Sequence, residues 1–93
     1  MQGNVAMASS DDGYGTQAHA FSPGTITIAR TGTVTWVNNT GLLHNVTFMG
    51  TTGAPSNIPS FSTGSTSRSF STAGSFGYQC TNHAGMTGQV VVQ

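Results

Sequence analysis

Thr25-Ile26-Thr27-Ile28-Ala29-Arg30-Thr31-Gly32-Thr33-Val34-Thr35-Trp36-Val37 alternates polar and apolar residues on both sides of a glycine-containing break. Side chains of an extended strand point to opposite faces in turn, so Ile26 and Ile28 share one face, and Val34 and Trp36 share another. Arg30-Thr31-Gly32 supplies the turn between the two strands. The same period of two recurs downstream. His44, Val46 and Phe48 lie on one face of the next run, and Phe76, Tyr78 and Cys80 on one face of a later one.

Extending this reading in both directions predicts an all-β chain. Ser67 to Ser71, Ser75 to Cys80 and Gly88 to Gln93 read as three strands separated by glycine-containing turns. Residues Val5 to Ala8 and Thr16 to Phe21 are expected to add one or two more. Gly50 to Thr66, rich in Gly, Ser, Thr and Pro, reads as an irregular connection with at most a short strand or turn. No helical period of 3.6 persists, and no repeat, charge run or linker divides the chain. Short strands at this spacing predict a Greek-key β-sandwich of about seven or eight strands, with residues 1–93 as one domain.

Composition narrows the function. Only Asp11, Asp12, Arg30 and Arg68 are charged among 93 residues, and the formal net charge is zero. Neutralising phosphates takes Lys and Arg, so nucleic-acid binding is not expected. The same scarcity argues against electrostatic steering of a partner. It also leaves few carboxylates whose protonation would unfold the chain, so the fold should tolerate acid. No run approaches the ~20 apolar residues of a membrane helix. Met1 to Ser10 lack the basic start and apolar run of a signal peptide, so a native leader, if there was one, is expected to have been removed.

One short segment carries the chemistry. Tyr78-Gln79-Cys80-Thr81-Asn82-His83-Ala84-Gly85-Met86 places the only cysteine, a histidine three residues on and a methionine three further in one loop. His44, on the same face as Val46 and Phe48, adds a second imidazole. Two His, one Cys and a weak axial Met describe a blue-copper electron-transfer site. His44, Cys80 and His83 are expected as the equatorial ligands and Met86 as the long axial one, with one copper per chain. With four ligands and no open position, such a site carries electrons and does not activate a substrate, so no enzymatic activity is expected.

Each of these residues also has a plainer reading. A lone cysteine near a strand end is usually a small buried hydrophobe; His83 and Met86 at this spacing, with His44 facing inward, favour ligation. Gln89 or a backbone oxygen could replace Met86 on the axis. His19 reads as a surface or edge residue, Met49 as packing, and Trp36 and Phe48 as core. Zinc is disfavoured because methionine is a poor zinc ligand. A thiol protease would need a substrate cleft for which a sandwich this small leaves little room. Asn38-Asn39-Thr40 and Asn45-Val46-Thr47 match the glycosylation pattern but read as strand residues.

His44-Asn45-Val46 followed far downstream by Tyr-x-Cys-x-x-His-x-x-Met resembles the cupredoxins, the group of small blue copper proteins that includes plastocyanin, pseudoazurin and amicyanin. Phe21-Ser22-Pro23, Gly32 to Asn38 and the closing Gly88-Gln89-Val90-Val91-Val92 belong to the same resemblance, which covers about residues 16–93. The short Cys-to-Met loop is amicyanin-like. The resemblance implies a sandwich of about eight strands with copper near one end. It also implies that Asn45 ties the two ligand segments together and holds Cys80 in place. One residue departs from the pattern, because many relatives have proline where this chain has Asn82.

The implied function is a soluble electron carrier cycling Cu(I)/Cu(II) between redox partner proteins, in the periplasm or outside the cell. A monomer is expected, with docking on an apolar patch of Leu42, Leu43, Ala84 and Gly85 around His83. Two other readings stay open at this point: a copper carrier or store without electron transfer, and a structural β-domain in which Cys80 is merely buried.

Overall fold

A computed structural model describes residues 2–11, 17–38, 40–82 and 85–93. Among these, nine strands form: β1 (Gln2–Asp11), β2 (Gln17–Ser22), β3 (Thr25–Ile28), β4 (Gly32–Asn38), β5 (His44–Phe48), β6 (Ile58–Phe61), β7 (Gly64–Phe70), β8 (Gly74–Gln79) and β9 (Thr87–Val92). They pair as a four-stranded sheet in the order β2-β1-β4-β7 and a five-stranded sheet in the order β3-β9-β8-β5-β6. The all-β sandwich is as the alternation predicts, with nine strands among the described residues against about seven or eight expected.

The differences have physical causes. Residues 50–66, read as an irregular connection with at most a short strand or turn, contain the short strand β6 and, beyond that reading, the first residues of β7. Gly64-Ser65-Thr66 carries no apolar pattern of its own and is extended because it pairs with Trp36, Val37 and Asn38 of β4. β6 includes Pro59 and lies at the sheet edge, where a missing N–H costs no ladder bond. The register between β5 and β6 shifts between His44 and Val46, which accommodates this short strand. β1 runs well beyond Val5 to Ala8 because it pairs on both sides, antiparallel to β2 and parallel to β4. Thr16, expected in the second strand, lies outside the described residues.

The turn at Arg30-Thr31-Gly32 is present, but the strands it joins belong to different sheets. The chain bends there with Thr31 at φ 69°, an uncommon conformation for a residue with a side chain. The Thr31 N–H donates to Phe70 O at 2.7 Å, and Gly32 N–H to Ala29 O at 3.0 Å. β3 consequently pairs in parallel with β9, and the chain crosses from sheet to sheet as a Greek key requires.

Both sheets contribute aromatics to one core. Trp36 is fully buried and meets Tyr78 at 5.4 Å and 90° and Phe48 at 6.0 Å and 80°, the edge-to-face geometry that ring quadrupoles favour. Phe70 packs against Trp36, Phe48 and Phe76. Gly88 is needed beside Tyr78, because a Cβ there would overlap the phenol ring and hydroxyl.

Two polar side chains anchor what the strands leave loose. The Arg68 guanidinium donates to Ser56 O and Asn57 O, each at 2.9 Å, while Asn57 Oδ1 accepts from Phe48 N–H at 2.8 Å. The connection after β5 is thereby tied to β7. Asn38, fully buried, donates from Nδ2 to Leu42 O and Phe61 O and accepts at Oδ1 from Thr40. This shapes the approach to His44. Asn38 and Asn45 are both buried and hydrogen-bonded, which agrees with reading neither as a glycan acceptor.

Tyr78 links the core to alkaline stability. Its hydroxyl and the Trp36 indole N–H are buried without a hydrogen-bond partner among the described residues. Burial pushes the phenol up to about 12, with the nearby Trp36 side chain, outside hydrogen-bond geometry, offsetting it slightly. Below pH ~10 the phenol is protonated in both folded and unfolded chains, and its contribution is constant. Between ~10 and about 12 only the unfolded chain ionises, so folding stability falls as pH rises through that window. The expected loss is ~2–3 kcal/mol by pH 12. Tyr78→Phe should remove this loss without destabilising the chain at neutral pH; denaturant titrations at pH 7 and 11.5 check it, and an equal alkaline loss in the variant would reject it.

Candidate metal centre

His44 opens β5 and Cys80 immediately follows β8, on strands that pair antiparallel through Thr47↔Gln79 and Phe48↔Tyr78. A strand start on one side of this pair therefore lies beside a strand end on the other. His44 is fully buried and Cys80 is 2% exposed, with Nδ1 of His44 3.8 Å from Cys80 Sγ. At that separation the thiol sulfur and the imidazole nitrogen could both hold one soft metal ion.

The loop after Cys80 closes on itself. Cys80 N–H donates to Met86 O at 2.9 Å, and the Met86 side chain is buried at 1% exposure. The thioether is thus held inside the fold on the segment that carries the thiol. Met86, read from its spacing as a candidate ligand, is not a surface methionine. Met49, expected to pack, is instead half exposed. His83 and Ala84 lie outside the described residues, and so does the side chain of His19. Among the described residues no group of three His, Cys, Asp or Glu side chains assembles; the third described donor is the Met86 thioether.

Asn45 has the contacts implied for it. Its Nδ2 donates to Thr81 Oγ1 at 2.7 Å, and its Oδ1 accepts from Thr81 N–H at 3.1 Å and from Thr47 Oγ1 at 3.1 Å. The residue after His44 is therefore bonded twice to the residue after Cys80. Such contacts fix the orientation of the groups that would hold a metal. Buried soft donors on two tied segments, with no carboxylate in the set, suit copper better than a hard cation.

The pattern of these donors has counterparts. Residues 8–93 match the family model for copper binding proteins of the plastocyanin/azurin family. The chain belongs to that family. It is 39% identical to plastocyanin from Scenedesmus fuscus over 92 residues, covering 82% of this chain and 89% of the relative. In structure it is similar to a purple cupredoxin from Nitrosopumilus maritimus, with a TM-score of 0.79, 26% identity, and 98% and 99% of the two chains covered. It is also similar to a proline-to-glycine mutant of amicyanin in its reduced Cu(I) form at pH 4, with a TM-score of 0.77, 30% identity, and 97% and 80% covered. The chain is a cupredoxin, a copper protein of the blue electron-carrier class and not an enzyme.

Sequence spacing singled out His44, Cys80 and Met86 as candidates, and the family resemblance singled out Asn45. Neither identified Ser60, whose hydroxyl faces both Asn45 and Asn82 from β6. Nothing in the period or spacing of residues 50–66 signals that contact.

Proposed function

We propose that His44, Cys80, His83 and Met86 hold one type 1 copper, and that the chain uses it to pass single electrons between redox partner proteins. The observation that carries this reading is the buried Cys80 Sγ facing His44 Nδ1 at 3.8 Å across two tied segments. When bound, copper supplies a one-electron couple between Cu(I) and Cu(II). The protein holds its donors in one arrangement: β5 and β8 position His44 and Cys80, Asn45 locks Thr81, and the Cys80–Met86 backbone bond closes the loop. Little rearrangement is then required between oxidation states.

Docking is assigned to the apolar surface near the ligand loop. Leu43 is 57% exposed, and exposed Gly85 belongs to the same proposed patch. With a formal net charge of zero, encounter there depends little on long-range electrostatics. Among the described residues no helix is long and apolar enough to cross a membrane. The proposed setting is the periplasm or the extracellular space, with residues 1–93 acting as one monomeric copper-binding unit.

Electron self-exchange between oxidised and reduced protein, followed as ionic strength is raised, tests the reading. Fast exchange that changes less than about twofold between 10 mM and 500 mM salt is expected. Slow exchange together with ready loss of copper to a chelator would favour a copper carrier. A steep salt dependence would reject the apolar docking surface.

A further inference from the structure

Asn82 lies between Cys80 and His83, and its side chain reaches across to two other elements. Its Nδ2 donates to Leu43 O at 3.1 Å and to Ser60 Oγ at 3.0 Å. Leu43 immediately precedes His44, and Ser60 belongs to β6, which pairs with β5. One amide bond is thus directed to the residue before the first histidine and the other to the strand paired with that histidine's strand. Asn45, from the histidine's strand, bonds in the opposite direction to Thr81 and lies 3.5 Å from the same Ser60 hydroxyl. Two consecutive loop residues are pinned to the β5–β6 edge.

We infer that Asn82 is a positioning residue: its amide clamps the His83-bearing loop to the carbonyl before His44 and so sets how tightly the site holds copper(II). The inference rests on the ligand set proposed above and adds a residue to it. Asn45 restrains the loop next to Cys80, whereas Asn82 restrains it next to His83. The clamp acts through side-chain donors on a backbone that keeps its own N–H and free φ. A ring closed on that backbone nitrogen would restrict the same position by another route.

Three proteins test this: the unaltered chain, Asn82→Ala and Asn82→Pro. Each is loaded with copper(II) and followed by its visible band during transfer to a chelator, and by its reduction potential; thermal unfolding is measured on the copper-free forms. Losing the two bonds in Asn82→Ala is expected to speed copper(II) release about fivefold. Oxidised-state affinity weakened by that factor raises the potential by about 40 mV, at 59 mV per tenfold. Asn82→Pro, stiff without the amide, should stay within about twofold of the unaltered chain. The copper-free midpoints should differ little, since the clamp is exposed.

Equal release and potential in the alanine variant and the unaltered chain would overturn the inference. So would a lowered copper-free midpoint with both copper readouts unmoved, which marks a merely structural contact. Release from Asn82→Pro as fast as from Asn82→Ala would overturn loop stiffness as its basis. Absence of the band in the unaltered chain would overturn the ligand set and this inference together, an outcome distinct from the other three.

Discussion

Replacing Cys80 by alanine is expected to abolish completely the intense visible band expected of the copper(II)-loaded chain. That band requires a thiolate bonded to copper, and Cys80 is the only cysteine in 93 residues. No neighbouring thiol can substitute, and neither imidazole nor thioether produces an equivalent transition. The loss reports on bonding and not on collapse of the fold, because one small side chain is removed from a position held by backbone bonds. Cys80 N–H donates to Met86 O, and the following Thr81 is bonded by Asn45. A cooperative unfolding transition in copper-free Cys80→Ala serves as the control. Retention of the band would remove Cys80 from the ligand set.

Trp36→Ala is expected to cost ~3–5 kcal/mol, the usual range for deleting a large buried aromatic. That is a large part of the ~5–15 kcal/mol by which domains of this kind are stable. Trp36 is completely buried, and its ring meets Phe48 and Tyr78 from the opposite sheet and Phe70 from its own. Denaturant unfolding of the copper-free chain measures the effect; a cost below about 1 kcal/mol would show that the two sheets are not held together at this residue.

These two residues were legible in the sequence for different reasons. Trp36 follows from alternation, since Val34 and Trp36 must share the face opposite Thr33 and Thr35. Cys80 follows from chemistry, because a thiol, an imidazole and a thioether three residues apart have few uses together. Where periodicity was absent, so was the signal. Gly64-Ser65-Thr66 is a strand only because β4 is there to pair with it. Ser60 bears on the site only because β6 pairs with β5 and carries it to Asn45 and Asn82.

By itself the sequence determined the all-β class, the inward faces of the main strands and the candidate donors His44, Cys80, His83 and Met86. Those are local properties: a period of two decides which way side chains point, and residue type decides what they can bind. Only the tertiary structure decided that β1 runs parallel to β4 and β3 parallel to β9, and that the Tyr78 hydroxyl is buried in the core with no partner among the described residues. It alone joined Asn45 to Thr81 and Asn82 to Leu43, 36 and 39 residues apart. Such contacts depend on how two sheets pack and where each strand ends, and no window of the chain short enough to show a period contains both partners.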